Sequence, residues 1–147
     1  MTIVHATAVA GLTPDGWRAV LLRGPSGAGK SDLALRLIGR GWRLIGDDYV
    51  EVWPSGGGLY VAPAPRIAGA IEARGLGIVG APHLALARVS LLVDCITDEP
   101  ERLPEPGLEA IATVDLAVHA LAALEASAPD KVVSALAARD MASRLEP

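Results

Sequence analysis

The segment that most constrains this chain is Gly24-Pro25-Ser26-Gly27-Ala28-Gly29-Lys30-Ser31. It satisfies G-x-x-x-x-G-K-[ST] at every fixed position, and its surroundings fit as well. The apolar run Ala19 to Leu22 precedes it. A stretch with Leu33, Leu37 and Ile38 on one helical face follows it, and Gly39 or Gly41 closes that stretch. Strand, glycine loop and helix in that order form a phosphate cradle. Glycines let successive N–H groups turn inward, and the helix N-terminus adds free donors and partial positive charge. Lys30 is placed to reach the β- and γ-phosphates, and the Ser31 hydroxyl to ligate Mg²⁺. All eight residues, Gly24, Pro25, Ser26, Gly27, Ala28, Gly29, Lys30 and Ser31, are therefore candidates for binding the phosphates of a nucleotide.

The rest of the chain is organised around that unit. Thr2 to Ala10 reads as one strand. Thr13-Pro14-Asp15-Gly16 reads as a turn, and Trp17 to Arg23 as the returning strand of a hairpin. A helix is predicted over 31–40, then a short buried strand from Trp42 to Gly46. Tyr49 to Trp53 and Leu59 to Ala62 flank a glycine-rich turn and form a second hairpin. Pro63 to Pro82, with four glycines and three prolines, reads as loop with a short helical turn. Arg88 to Cys95 is a continuous apolar run, hence a central strand, and Thr97 to Gly107 is acidic, Pro-rich and exposed. Ile111 to Leu116 reads as a strand. Ala117 to Ala126 and Asp130 to Leu145 read as helices, the second with Pro129 near its start. Strands with intervening helices predict an α/β fold with a mixed sheet, and 147 residues suit a single domain over 1–147.

Composition narrows the function. Hydrophobic residues make up 51% and charged residues 20%, which excludes a largely disordered chain. With no Phe, aliphatic side chains must build the core. A net charge of −4 argues against a nucleic-acid partner, which would need a basic stripe. No apolar run is long enough to span a membrane. The single cysteine, Cys95, excludes an internal disulfide and a Cys-based zinc site, and reads as a small buried hydrophobe. With no basic leader at the N-terminus, a cytoplasmic setting is expected.

Four further residues or pairs are candidates for chemistry. Asp47-Asp48 ends the strand that follows the loop helix, at the sheet edge where ligands bind in open α/β folds. Alternation at a strand end would point the two carboxylates to opposite faces, one to a metal and one to an acceptor hydroxyl as general base. His5 lies on the strand expected to pair with the one feeding the loop. From pattern alone it is more often a hydrogen-bonded core residue than a catalyst. Glu72 and Arg74 sit in an apolar glycine-rich loop. Glu72 offers a hard oxygen for Mg²⁺ and Arg74 a charge for phosphate, with a simple surface ion pair as the equal alternative. Asp94 closes an apolar strand and ranks behind Asp47-Asp48 for the metal. His83 and His119 have no partner pattern and read as structural.

The strand histidine, GPSGAGKS followed by LIGDDYVEV, and IEARGLGI together resemble the catalytic domain of HPr kinase/phosphorylase over about residues 3 to 95. That resemblance implies ATP on Gly24 to Ser31, Mg²⁺ on Ser31 and Glu72, and Asp48 as proton acceptor. It implies assistance from His5 and Lys30, and Asp47 as a helper through water or Mg²⁺. It picks Asp48 over Asp47, a choice the residues alone leave open. The resemblance is to the short form, without the N-terminal domain of longer members. The stretch Arg102-Leu103-Pro104-Glu105-Pro106-Gly107 offers no equivalent of the family's further catalytic arginine, so the kinase direction is expected rather than the phosphorylase one. The implied activity is an ATP- and Mg²⁺-dependent serine kinase of HPr or an HPr-like phosphocarrier, with self-association expected by analogy. A P-loop kinase of a small molecule, or an ATP-sensing module without turnover, are the alternatives.

Overall fold

The computed structural model describes residues 1–145. Eleven strands and two helices are present among them: β1 (Thr2–His5), β2 (Thr7–Thr13), β3 (Gly16–Arg23), α1 (Lys30–Ile38), β4 (Arg43–Gly46), β5 (Tyr49–Ser55), β6 (Gly58–Pro63), β7 (Ala70–Ala73), β8 (Gly77–Gly80), β9 (Ala87–Ile96), β10 (Gly107–Ile111), β11 (Val114–Ala122) and α2 (Ala128–Leu145). Nine strands form one mixed sheet along the path β1-β5-β6-β9-β3-β2-β4, with β11 also on β9 and β10 outside β11. The pairs β3–β9 and β9–β11 are parallel and the other strand pairs are antiparallel. β7 and β8 make a separate two-stranded ribbon.

Both faces of the sheet are buried, as the continuous apolar run of β9 requires. On one face α1 (Leu33, Ala34, Leu37) and α2 (Ala128, Val132, Leu136) pack on Val9, Val20, Leu22, Leu91 and Val93. On the other, Ala8, Ala10, Ala19, Leu21 and Leu92 meet Val50, Val52, Leu59, Val61 and Leu116. Among the described residues no helix contributes to that second cluster. The sheet curls instead, so that β4 at one end of the path lies against β5 and β6. Small alanines on β2 and β3 permit the close approach. In the absence of Phe, fully buried Leu, Ile and Val do the work, each contributing about 1.5–3 kcal/mol.

Local signals in the sequence explain several elements. Gly56 and Gly57, both at positive φ (56° and 83°), make the two-residue turn between β5 and β6. α1 ends where Gly41 adopts φ 94°, with Trp42 N–H donating to Leu37 O (3.2 Å) and Gly41 N–H to Ile38 O (3.1 Å). That is the Schellman arrangement. The turn at Thr13-Pro14-Asp15-Gly16 and the helix after Pro129 are also as expected.

Four expectations are corrected. The run from Thr2 to Ala10 is two strands divided at Ala6. β1 pairs with β5, and only β2 makes the hairpin with β3. The glycine-rich stretch from Pro63 to Pro82 is not only loop and a short 3-10 turn (Pro65–Ile67). It holds the β7–β8 hairpin, whose turn relies on Gly75 (φ 92°) and Gly77 (φ 97°). The Ala-rich segment Ala117 to Ala126 is no helix; residues 117–122 continue β11. The cause is tertiary: β6 covers β9 only at residues 87–89, so the N–H and C=O groups of residues 91–96 need another partner, and residues 117–122 supply it in parallel register. The strand expected over Ile111 to Leu116 is broken by a turn at Ala112 and Thr113, both at positive φ.

Leu92 lies at 0% exposure in the middle of β9. Leu92→Ala should therefore cost about 2–5 kcal/mol. The measurement is urea denaturation, where the midpoint falls with the slope unchanged.

Candidate functional site

The glycine loop connects the C-terminal end of β3, a central parallel strand, to the first turn of α1. Its backbone is built for that path. Gly24 (φ 149°) passes so close to β9 that a Cβ would lie 2.5 Å from the Cys95 carbonyl oxygen. Ala28 N–H closes a turn on Pro25 O (3.1 Å), and Gly29 (φ 92°) caps the helix. Lys30 is buried, at 7% exposure. Its Nζ donates to Gly24 O (2.6 Å) and lies 3.4 Å from Pro25 O, so the charge sits at the loop's rim.

Asp47 and Asp48 fill the two-residue link between β4 and β5 and have opposite surroundings. Asp47 is 7% exposed. Its Oδ1 accepts from the Thr7 hydroxyl (2.8 Å) and the Ser31 hydroxyl (2.7 Å), and its Oδ2 accepts from Glu72 N–H (3.0 Å). Asp48 has φ 70°, a left-handed conformation that Asp tolerates better than most residues. Its carboxylate is exposed and bonds to His5 Nε2 (2.7 Å). The two carboxylates do point apart, but the cause is this turn and not strand alternation, since neither residue is in a strand.

His5 sits at the end of β1, opposite Tyr49 in the ladder with β5. The two rings stack with centroids 4.9 Å apart, which fixes the imidazole plane. His5 is an exposed residue bonded to Asp48, not a core histidine. A cleft of about 270 Å³ collects Gly27, Gly29, Lys30, Ser31, Asp48, Glu72 and Arg74. Glu72 is exposed on β7, held there by its own N–H on Asp47. Among the described residues no ion pair within 4.0 Å joins Glu72 to Arg74, so the surface-pair alternative does not hold.

Asp94 is not in this cleft. It accepts from Arg23 Nε (2.8 Å) and Nη2 (3.2 Å), and the same guanidinium bonds Glu109. The second-ranked metal candidate is thus an ion-pair partner, and Asp47 is the carboxylate that holds the loop serine. Cys95 is buried as expected; desolvation pushes its thiol up to about 11. His83 bonds Ala81 O (3.0 Å), and His119 is exposed on β11. Sequence reasoning missed Thr7 and Tyr49. Thr7 is fully buried; besides holding Asp47, its Oγ1 lies 3.3 Å from the Asp48 N–H. The available signal was one hydroxyl residue within the apolar run Ala6-Thr7-Ala8-Val9.

A glycine loop at the carboxyl edge of a parallel strand pair, running into a helix N-terminus with a buried Asp behind it, defines an α/β fold shaped to receive phosphate. Residues 16–85 match the family model described as HPr Serine kinase C-terminal domain. HPr kinase/phosphorylase of Geobacillus sp. (strain WCH70) is 40% identical over 109 residues, 68% of this chain and 35% of the relative. That of Exiguobacterium sibiricum is 48% identical over 61 residues, 41% of this chain and 20% of the relative. The chain spans about a third or less of the length of these curated relatives. The solved structure of the Hpr(Ser) kinase/phosphatase from Coxiella burnetii superposes with a TM-score of 0.79 at 22% identity, covering 98% of this chain and 99% of that one. The chain therefore resembles HPr kinase/phosphorylase in sequence, in the part its C-terminal domain occupies, and it has the HPr kinase fold.

The Arg23 network gives a pH prediction. Hydrogen bonding to Arg23 lowers the Glu109 carboxyl below its ordinary value. A carboxyl lowered on folding stabilises above its unfolded pKa of about 4.3, and that contribution is lost as pH falls through the lower folded value. The wild type should exceed Glu109→Gln in denaturation midpoint at pH 7, and the gap should close below about pH 4.

Proposed function

We propose that this chain works as one P-loop kinase domain that transfers the γ-phosphoryl group of ATP, with Mg²⁺, to a serine of HPr or an HPr-like phosphocarrier protein. The observation that carries the reading is that Asp48, bonded to His5, lines the same cleft as Lys30 and Ser31. N–H groups of Gly27 to Ser31 would cradle the phosphates, and Lys30 would leave its loop carbonyls to neutralise them. Asp47 is saturated by three donors and buried, which suits a positioning role. Asp48 is open and has one partner, which suits a base. The acceptor serine oxygen would attack the γ-phosphorus and the bond to ADP would break. The serine proton would pass to Asp48, with His5 orienting the carboxylate.

The donors present fit Mg²⁺. Ser31, in the first turn of α1, and Glu72, on β7, offer hard oxygens to the same cleft. That suits an ion shared between one or two side chains and the nucleotide's own oxygens. When bound it would neutralise charge on the β- and γ-phosphates.

A protein acceptor is favoured over a metabolite because the Asp48 and His5 side chains are 58% and 48% exposed; a small-molecule kinase would enclose its base. A sensing module would need no base at all. Among the described residues no helix is long and apolar enough to cross a membrane, and the free cysteine suits the reducing cytoplasm we assign.

Incubation with labelled ATP, Mg²⁺ and an HPr-like protein should place label on serine. Label on a metabolite instead would identify a small-molecule kinase, and ATP binding without transfer a sensor. Lys30→Ala should slow transfer by about two to three orders of magnitude in a folded protein. Asp48→Asn should lower kcat by about 10²–10⁴ with ATP binding within a few-fold of wild type. Asp47→Asn should weaken Mg²⁺-dependent ATP binding more than kcat; the reverse pattern for the two variants would exchange their roles.

A further inference from the structure

The C-terminal third of the chain has no part in the reading above, yet it supplies one wall of the cleft. Leu124, in the link between β11 and α2, lines that cleft together with Leu35 of α1. It lies directly on the glycine loop. A Cβ at Gly29 would meet Leu124 Cδ2 at 2.7 Å, so the loop and this leucine touch only because Gly29 has no side chain. The contact is held in place by Arg36 of α1, whose guanidinium donates to Glu125 O (3.0 Å) and to Ala123 O, the carbonyls on either side of Leu124. Despite that clamp, the Leu124 side chain is 64% exposed. Leu35, one helical turn after Ser31, is also exposed on the same side.

In-line transfer fixes what belongs there. The acceptor and the leaving nucleotide must lie on opposite sides of the γ-phosphorus. Asp48, Glu72 and Arg74 occupy the acceptor side. The nucleoside must therefore leave the phosphate cradle toward the remaining lining residues, Asp32, Leu35 and Leu124. Several polar groups there are already committed. Asp32 pairs with Arg36 (3.0 Å), the carbonyls of Ala123 and Glu125 accept from Arg36, and Glu125 N–H donates to Ala122 O (3.1 Å). The side chains left to meet a base, Leu35 and Leu124, are apolar.

We propose that Leu124 and Leu35 form the nucleoside subsite, packing on the face of the base and reading neither of its hydrogen-bonding edges, so that purine identity is not discriminated. The inference rests on the ATP reading above and extends it to Leu124, which lies beyond the residues matched by the family model.

The test is equilibrium binding of ATP, GTP and inorganic tripolyphosphate, each with Mg²⁺, to wild type, Leu124→Ser and Leu35→Ser, with folding checked by circular dichroism. Wild type should bind ATP and GTP within about threefold of each other, and ATP more tightly than tripolyphosphate. Each variant should lose roughly fivefold to tenfold in affinity for both nucleotides while tripolyphosphate binding stays within about twofold. Parallel weakening of tripolyphosphate would assign Leu124 to propping the loop and overturn the subsite. So would unchanged ATP binding in both variants, or a strong preference of wild type for one purine. Should Leu124→Ser not fold, Leu35→Ser and the wild-type comparison decide alone. Wild type that binds neither ATP nor tripolyphosphate would remove the kinase reading itself, a result distinct from failure of the subsite.

Discussion

One buried carboxylate holds the candidate site together. Asp47 gathers a hydroxyl from β2 (Thr7), a hydroxyl from the first turn of α1 (Ser31) and a backbone N–H from β7 (Glu72). These donors come from three segments far apart in the chain. A buried carboxylate is costly unless its lone pairs are engaged, and three donors meet that requirement. Stability and position are coupled as a result. The satisfaction that makes Asp47 tolerable in the interior also sets the loop serine, the β7–β8 hairpin and the start of β5 relative to one another.

The neighbouring Asp48 shows the same economy of means with the opposite outcome. Its backbone takes a left-handed conformation, which costs a non-glycine residue on the order of 1 kcal/mol. The Thr7 hydroxyl lies 3.3 Å from its N–H, and His5 lies 2.7 Å from its carboxylate. The strained turn moves the second carboxylate out of the interior and into the cleft. Two adjacent, chemically identical side chains thereby acquire different roles from environment alone: one immobilised by donors, the other exposed beside an imidazole that Tyr49 holds flat. A regular strand end would have separated them by direction but left both at the same depth.

The local parts of this arrangement were legible from sequence. Gly24 to Ser31 announces its own geometry, since positive φ at Gly27 and Gly29 is what the motif's glycines are for. The β5–β6 turn and the Gly41 stop of α1 were equally local. What escaped was set by partners distant in the chain. Ala117 to Ala122 has helical composition, and only the uncovered half of β9 makes it a strand. Asp94 has the pattern of a metal-binding strand end, and only Arg23, 71 residues away, reveals an ion pair. Thr7 is indistinguishable from an ordinary β-branched strand residue until Asp47 is placed against it. The glycines of residues 63–82 suggested irregular backbone, whereas two of them supply the positive φ that the β7–β8 turn needs.

Arg23 and Arg36 suggest how a loop made of glycines can keep one shape. The residue before Gly24 is locked by Arg23 onto Asp94 of β9 and Glu109 of β10. The helix after Ser31 is tied by Arg36 to the carbonyls of Ala123 and Glu125. Arg40 repeats the pattern one turn later, pairing with Asp130 of α2. Each contact is partly exposed and individually modest. Together they anchor both ends of the loop to β9 and to the C-terminal third. The conformational freedom that glycine brings is a liability for preorganisation, and here it is confined to the few residues whose N–H groups must turn toward an anion. The strands and helix beyond residue 95 then help to hold the candidate site, though among the described residues of that third only Leu124 lines the cleft.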